Sequence, residues 1–124
     1  MADTLAMLKL LCLDNEDDVR DMIRGHFEIR GFEVHTARDG DEGIALCESR
    51  EPDVILVDLK MKFMDGDRVI PELVRKAPRA KIFVVSACQD DIMRRRLAGL
   101  PVARYFEKPV SILELEKAVR EAVS

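Results

Sequence analysis

Short apolar runs recur along the chain and predict the strands of a sheet. The strongest are Leu8–Leu13, Val54–Val57 and Ile82–Val85, and weaker runs occupy residues 33–36 and 103–106. The strong runs are nearly continuous in apolar residues rather than alternating with polar ones. This pattern is typical of strands covered on both faces, as in a parallel sheet that lies between helices.

The segments between these runs have the spacing of amphipathic helices. In the first segment, Gly31 is placed to end a helix whose inward stripe consists of Val19, Met22, Ile23, His26 and Phe27. A weaker stripe at Ile92–Leu97 predicts the fourth helix. Each predicted strand is therefore followed by a helix.

Helix starts are marked by side chains that can cap a backbone N–H. Asp39 lies three residues before Glu42, and Ser111 lies three residues before Glu114, which predicts the starts of the second and fifth helices. Val69–Val74 forms the stripe of the third. The order βαβαβαβαβα predicts a parallel sheet with helices on both faces.

Length and charge narrow the function. A chain of 124 residues suits one compact domain. Its net charge of −4 argues against direct binding of nucleic acid through a basic surface. The three cysteines, Cys12, Cys47 and Cys88, lack the spacing of a zinc or redox motif. The N-terminal apolar stretch is too short to span a membrane and lacks a basic leader, so we expect no membrane insertion and a cytoplasmic location.

Polar residues follow four of the five predicted strands. Each has an ordinary structural explanation by itself, such as a helix cap or a solvated side chain. Because the carboxyl ends of parallel strands meet at one edge of the sheet, together they predict a site there. In strand order they are Asp14-Asn15-Glu16, Asp58, Ser86 and Lys108-Pro109.

These residues make the chain resemble the receiver domains of response regulators, in particular the single-domain chemotaxis type. The resemblance covers nearly the whole chain and implies a flavodoxin-like (βα)5 fold, a doubly wound parallel sheet in the order 2-1-3-4-5. It also implies that residues 1–124 form a single receiver domain with no output domain. The motifs that carry it are Leu13-Asp14-Asn15-Glu16, Pro52–Asp58, Met64-Asp65-Gly66, Val85-Ser86-Ala87 and Tyr105–Pro109.

The resemblance implies a phosphate-accepting carboxylate at Asp58. In the family this carboxylate takes a phosphoryl group from a phosphohistidine on a sensor histidine kinase or phosphotransfer protein. A Mg²⁺ cofactor would be held by Asp14, Asn15 and Asp58 together with the backbone carbonyl of Lys60. The protein would thus catalyse only its own phosphorylation and dephosphorylation, and is not expected to be an enzyme with a separate substrate.

Three further residues have roles implied by the resemblance. Lys108 pairs with a phosphoryl oxygen, and the Lys108–Pro109 bond is expected to be cis. Ser86 hydrogen-bonds the phosphoryl group and draws the following loop inward, and the Tyr105 ring fills the space that the loop leaves. The switched surface then binds a downstream protein of unknown identity. The run Arg94–Arg96 is interpreted as a solvated helix face near that surface.

The chain departs from the family pattern around the metal. Asn15 stands where the family has a second acid, which predicts weaker Mg²⁺ binding, and the neighbouring Glu16 is a candidate to compensate through a water. Lys62 replaces a common proline. Lys60 and Cys88 occupy positions that tune loss of the phosphate in the family, and Lys60 is expected either to be solvated or to pair with Glu16 and shield the acyl phosphate.

Two other functions are compatible with the fold. One is a pseudo-receiver, a protein-binding module not regulated by phosphorylation, which Asn15 favours and the retention of Asp14, Asp58, Ser86 and Lys108 disfavours. The other is an unrelated enzyme of the same fold, such as an aspartyl phosphatase or a flavin-binding protein. It is disfavoured because no Gly-rich loop follows the first strand and a lysine follows Asp58 at the second position.

Overall fold

Ten elements alternate along the chain in the computed structural model, which describes residues 7–61, 64–87 and 91–124. The strands are β1 (Lys9–Leu13), β2 (Glu33–Ala37), β3 (Val54–Val57), β4 (Lys81–Ser86) and β5 (Val102–Glu107). The helices are α1 (Asp17–Ile29), α2 (Gly40–Arg50), α3 (Gly66–Lys76), α4 (Asp91–Leu97) and α5 (Ile112–Val123). This order confirms the predicted alternation.

The strands form one parallel sheet in the order β2-β1-β3-β4-β5, as predicted. The order reverses direction at β1, which pairs with β2 on one side and β3 on the other. In open sheets of this kind, the crevice beyond the carboxyl ends of the strands at the reversal is the usual place for a site. The fold therefore brings the residues after β1 and β3 to that crevice.

Alternate residues of the central strands enter two separate hydrophobic clusters. The front cluster joins Ile55 and Val57 of β3 to buried residues of α2, α3 and α4. The back cluster joins Val54 and Leu56 of the same strand to buried residues of α1 and α5. Burial on both faces is the physical reason for the continuous apolar runs in the sequence.

The predicted helix signals are confirmed. Gly31, just beyond α1, has a positive φ of 94°, a conformation that glycine adopts without strain. The Asp39 side chain accepts a hydrogen bond from the Glu42 N–H at 2.9 Å, and Ser111 accepts one from the Glu114 N–H at 3.3 Å. These contacts satisfy N–H groups that would otherwise have no partner within the helix.

Two residues of the predicted apolar stripes face solvent instead of the core. Met22 of α1 is 41% exposed and Ile92 of α4 is 62% exposed. Met93 and Leu97, the other two residues of the predicted stripe on α4, are buried, so only Ile92 departs from the prediction there. On α1, Ile23 and Phe27 of the predicted stripe are buried, and Met22 is the residue that departs from it.

Candidate functional site

Backbone pairing beyond the strand ends places the site residues side by side. The Asp58 N–H donates to the Leu13 carbonyl at 3.0 Å, and the Lys108 N–H donates to the Ser86 carbonyl at 3.2 Å. Asp14, Asp58 and Ser86 are all buried despite their polar side chains. The Lys108–Pro109 peptide bond is cis, as predicted.

Within the described residues, the Lys108 ammonium contacts three carboxylates. Its Nζ is 2.6 Å from Glu16, 2.8 Å from Asp14 and 3.0 Å from Asp58. Burial by itself opposes the charged form of Lys108, but the hydrogen bonds to the three carboxylates outweigh it and raise its pKa above the ordinary lysine value. The side chain is therefore a permanent positive charge in the site.

Asp58 is held on both of its carboxylate oxygens. Its Oδ1 accepts a hydrogen bond from the Ser86 hydroxyl at 2.5 Å and one from the Lys60 N–H at 3.2 Å. Its Oδ2 accepts a hydrogen bond from Lys108. These contacts fix the orientation of the carboxylate in the crevice between β1, β3 and β4.

Asp14 is an ionisable group in an unfavourable place. Burial is the largest influence on its carboxyl group and raises its pKa above the ordinary value, although hydrogen bonds from Lys108 and from the Glu16 N–H partly offset this effect. The bond from the Glu16 N–H to Asp14 Oδ1 is 2.8 Å long. Ionised Asp14 therefore lowers the stability of the folded state.

Arg20 is a buried residue beside the site that the sequence analysis missed. It is buried on the inward face of α1 and donates a hydrogen bond to the Asp14 backbone carbonyl at 2.6 Å. It also pairs with Asp17 at the start of the helix. Its burial could have been predicted from its spacing, because Arg20 lies on the same helical stripe as Ile23 and Phe27, which are also buried on α1. Arg20 therefore ties the β1–α1 loop to the helix behind it.

Three carboxylates in the site can hold a metal ion. Oxygen atoms of Asp14, Glu16 and Asp58 all lie within 4.8 Å of one another. Carboxylate oxygens are the ligands that Mg²⁺ and Ca²⁺ prefer, so this donor set fits the expected cation. Asn15, the predicted ligand between them in the sequence, is exposed.

Of the two expectations for Lys60, a solvated side chain agrees with the structure, in which the side chain is 56% exposed, and pairing with Glu16 does not. Lys60 Nζ lies 3.4 Å from Asp65 Oδ2, while the Glu16 carboxylate contacts Lys108 instead. Lys108 is the better partner because it is a less exposed cation held in place by two further carboxylates. The predictions about Lys62 and Cys88 concern positions outside the described residues.

Tyr105, the predicted switch residue, is half-buried on β5 and packs against the front cluster. The Arg94 guanidinium lies over its ring, 4.4 Å from the centroid, which is a cation–π distance. Arg96 lies 3.5 Å from Asp67 of α3. All three residues of Arg94–Arg96 are exposed, in agreement with the predicted solvated helix face, and two of them also make these surface contacts.

Sequence comparisons identify similar proteins. The sequence model of the family described as "Response regulator receiver domain" matches residues 10–120. The response regulator GacA of Pseudomonas aeruginosa is 33% identical over 117 residues, which cover 93% of this chain and 55% of GacA. The regulatory protein AtoC of Escherichia coli is 30% identical over 118 residues, which cover 95% of this chain and 26% of AtoC. The chain spans about half of GacA and about a quarter of AtoC.

Structural comparisons identify the same fold. A CheY-like response regulator receiver domain protein from Methanospirillum hungatei has a TM-score of 0.91 at 22% identity, over 95% of this chain and 94% of that one. A response regulator protein from Burkholderia pseudomallei, whose structure contains a phosphorylated aspartic acid, a calcium ion and citrate, has a TM-score of 0.83 at 22% identity. That match covers 90% of this chain and 66% of the other. None of the helices in the described ranges is long and apolar enough to cross a membrane.

Proposed function

Since the chain belongs to the response regulator receiver domain family of two-component systems, we propose that Asp58 accepts a phosphoryl group from a phosphohistidine. The donor would be a sensor histidine kinase or a phosphotransfer protein. The observation that carries the proposal is the position of Asp58, at the carboxyl end of β3 and in contact with both Ser86 and Lys108. The phosphorylated aspartic acid in the Burkholderia pseudomallei protein supports it.

The proposed reaction is a transfer between two nucleophiles. An Asp58 carboxylate oxygen attacks the phosphorus atom and the P–N bond to the donor imidazole breaks. The leaving nitrogen keeps the electron pair of that bond, and with the other ring nitrogen protonated the imidazole leaves as a neutral group. Such transfers depend mainly on alignment and on neutralising the phosphoryl charge. Lys108 contributes a positive charge 3.0 Å from Asp58, and the Ser86 hydroxyl, 2.5 Å from the same carboxylate, contributes a hydrogen-bond donor.

The family-typical Mg²⁺ would bind beside the same carboxylate. Its ligands would be Asp14 and Asp58, the amide oxygen of Asn15 and the backbone carbonyl of Lys60. Bound Mg²⁺ would supply positive charge that offsets the negative charge of the phosphoryl group. The close approach of the Asp14 and Asp58 oxygens supports this assignment.

Phosphorylation is expected to act on a protein-binding surface through Ser86 and Tyr105. Once the phosphoryl group is present, the Ser86 hydroxyl turns towards it and draws the chain after β4 with it. The Tyr105 ring then moves inward and loses its contact with Arg94, which changes the surface formed by α4 and β5. A downstream protein would bind one form of this surface in preference to the other.

The phosphodonor is expected to dock on an apolar groove beside the site. The groove lies between α1 and the segment after β5, and its apolar lining includes Val19, Met22, Pro109 and Val110. Lys108 also lines it, so a helix that carries a phosphohistidine can rest there while the phosphoryl group reaches Asp58. This arrangement supports transfer from a protein donor rather than from a small molecule alone.

The test is phosphorylation by a small acyl phosphate in the presence of Mg²⁺, read as the intact mass. Wild-type protein is expected to gain one phosphoryl group, and EDTA is expected to prevent the gain. Asp58→Ala should gain none, while Asp18→Asn, which changes an exposed aspartate on α1, should behave as wild type. A gain that persists in Asp58→Ala contradicts the assignment of the site.

Absence of any gain in the wild type would instead favour the pseudo-receiver, a constitutive protein-binding module. The contacts of Asp58 and Lys108 argue against that function, because a retired site gives no physical reason to bury these charges together. Self-catalysed loss of the phosphoryl group, a single domain over residues 1–124 and a cytoplasmic location stay predictions from the sequence.

A further inference from the structure

Glu16 reaches into the site from a position where its side chain has no structural task. It is the N-cap residue of α1, with extended backbone, and within the described residues its carboxylate makes no capping hydrogen bond. The carboxylate instead lies 2.6 Å from Lys108 Nζ, although the side chain remains 58% exposed. The backbone positions it, since the Glu16 N–H is bonded to Asp14 Oδ1.

The net charge of the site explains why an acidic side chain at position 16 matters for cation binding. Asp14, Glu16 and Asp58 carry three negative charges, and Lys108 offsets one of them. Two negative charges remain among these groups, which one divalent cation neutralises. Without Glu16 only one would remain, because Asn15 carries none. Affinity for hard cations depends on the charge of the oxygen ligands. The negative charge that is missing at Asn15 is therefore supplied by the Glu16 carboxylate.

We propose that Glu16, rather than Asn15, supplies the third acidic group for the divalent cation of this receiver. The inference rests on the proposed function and adds a metal-site residue to it. Glu16 exchanges its contact with Lys108 for the cation, either directly or through a water molecule. Lys108, then held by fewer carboxylates, is available to the phosphoryl group.

Mn²⁺ binding tests the assignment without any phosphorylation. Free Mn²⁺ is measured by its electron paramagnetic resonance signal during titration of metal-free protein. Glu16→Gln is expected to weaken affinity by about tenfold or more, the usual effect of removing a group that supports a metal site. The matched control Asp18→Asn is expected to stay within about twofold of wild type, because it removes no charge from the cluster. Asn15→Ala, which removes a neutral ligand, is expected to lose clearly less affinity than Glu16→Gln.

The remaining outcomes are also decisive. If Glu16→Gln binds as tightly as Asp18→Asn, or if Asn15→Ala loses as much affinity as Glu16→Gln, the assignment to Glu16 is wrong. The exposed side chain makes Glu16→Gln safe for folding, and a circular dichroism melt verifies this. Asn15→Asp in the Glu16→Gln background returns the missing charge and should recover most of the affinity.

Failure of this inference is distinguishable from failure of the proposed function. Wild type that is phosphorylated on Asp58 but binds Mn²⁺ independently of Glu16 keeps the function and loses the inference. Wild type that binds Mn²⁺ through Glu16 but accepts no phosphoryl group keeps the inference and loses the function. Wild type that binds no Mn²⁺ at millimolar concentrations loses the inference whatever the phosphorylation assay shows.

Discussion

Gly43 of α2 packs directly against Leu13, the last residue of the strand that leads to Asp14. A Cβ atom at Gly43 would lie 2.2 Å from Leu13 Cδ2 and 2.5 Å from Leu13 Cγ. Leu13 is only 1% exposed, so its side chain has no free space into which to rotate. Gly43→Ala therefore forces the helix away from the strand or the leucine out of its preferred rotamer.

The magnitude follows from two opposing effects. Overpacking of a core typically costs about 1–3 kcal/mol, and replacing glycine by alanine inside a helix contributes about 1 kcal/mol of stability. Because the clash involves Cγ as well as a terminal methyl, we expect a net loss of about 1–2 kcal/mol. Gly25→Ala is the matched control, since its Cβ would meet nothing within 4 Å and the variant should gain about 1 kcal/mol.

Thermal unfolding followed by circular dichroism measures both variants. A difference of 2–3 kcal/mol between them corresponds to a separation of roughly 10 °C in Tm for a domain of this length. Leu13→Val makes room for the new methyl group, so the double variant should be more stable than the sum of the single changes by about 1 kcal/mol. Equal Tm values for Gly43→Ala and Gly25→Ala would refute the packing argument. It would also be refuted if the effects of Gly43→Ala and Leu13→Val on the free energy of unfolding simply added in the double variant.

Three further predictions follow from the site. Burial raises the pKa of Asp14, so the folded state binds this proton more tightly than the unfolded chain and loses stability as pH rises above about 4. Asp14→Asn should therefore raise the free energy of unfolding of metal-free protein at neutral pH, with an advantage that vanishes near pH 4 in urea titrations. Met22→Asp should slow transfer from a histidine kinase by about fivefold or more but leave transfer from a small acyl phosphate unchanged, as parallel assays would show. Cys12 and Cys47, whose pKa values burial raises to about 12 and about 11, should be alkylated only in denaturant, as peptide mapping would reveal.

The sheet could be predicted from the sequence because burial on two faces excludes polar residues from the central strands. Val54–Val57 is the plainest case, since all four residues are buried. The shortest helix shows the limit of such patterns. With seven residues, α4 has too few turns for spacing to decide whether Ile92 or Met93 faces the core.

The sequence predicts which residues lie in the site, but not which of their side chains contact each other. Topology alone brings the ends of parallel strands together, whereas long side chains have several partners within reach. Lys60 and Glu16 illustrate this, because pairing between them was one of two expectations for Lys60 and each contacts a different residue. Arg20 was overlooked because a charged residue on a helix normally faces solvent, and its burial depends on a backbone carbonyl that the sequence does not display.

The division of the core into two clusters separates the proposed docking groove for the phosphodonor from the proposed switch surface. Val19 and Val110, which line the proposed docking groove, pack against the back cluster, whereas Tyr105 packs against the front cluster. The sheet lies between them, and the charged crevice at its edge is where the two sides meet. Under the proposed function, substitutions that change the choice of phosphodonor therefore fall on one face of the sheet, and those that change the choice of downstream protein fall on the other. The two binding specificities can thus change separately, provided that the residues of the shared crevice stay the same.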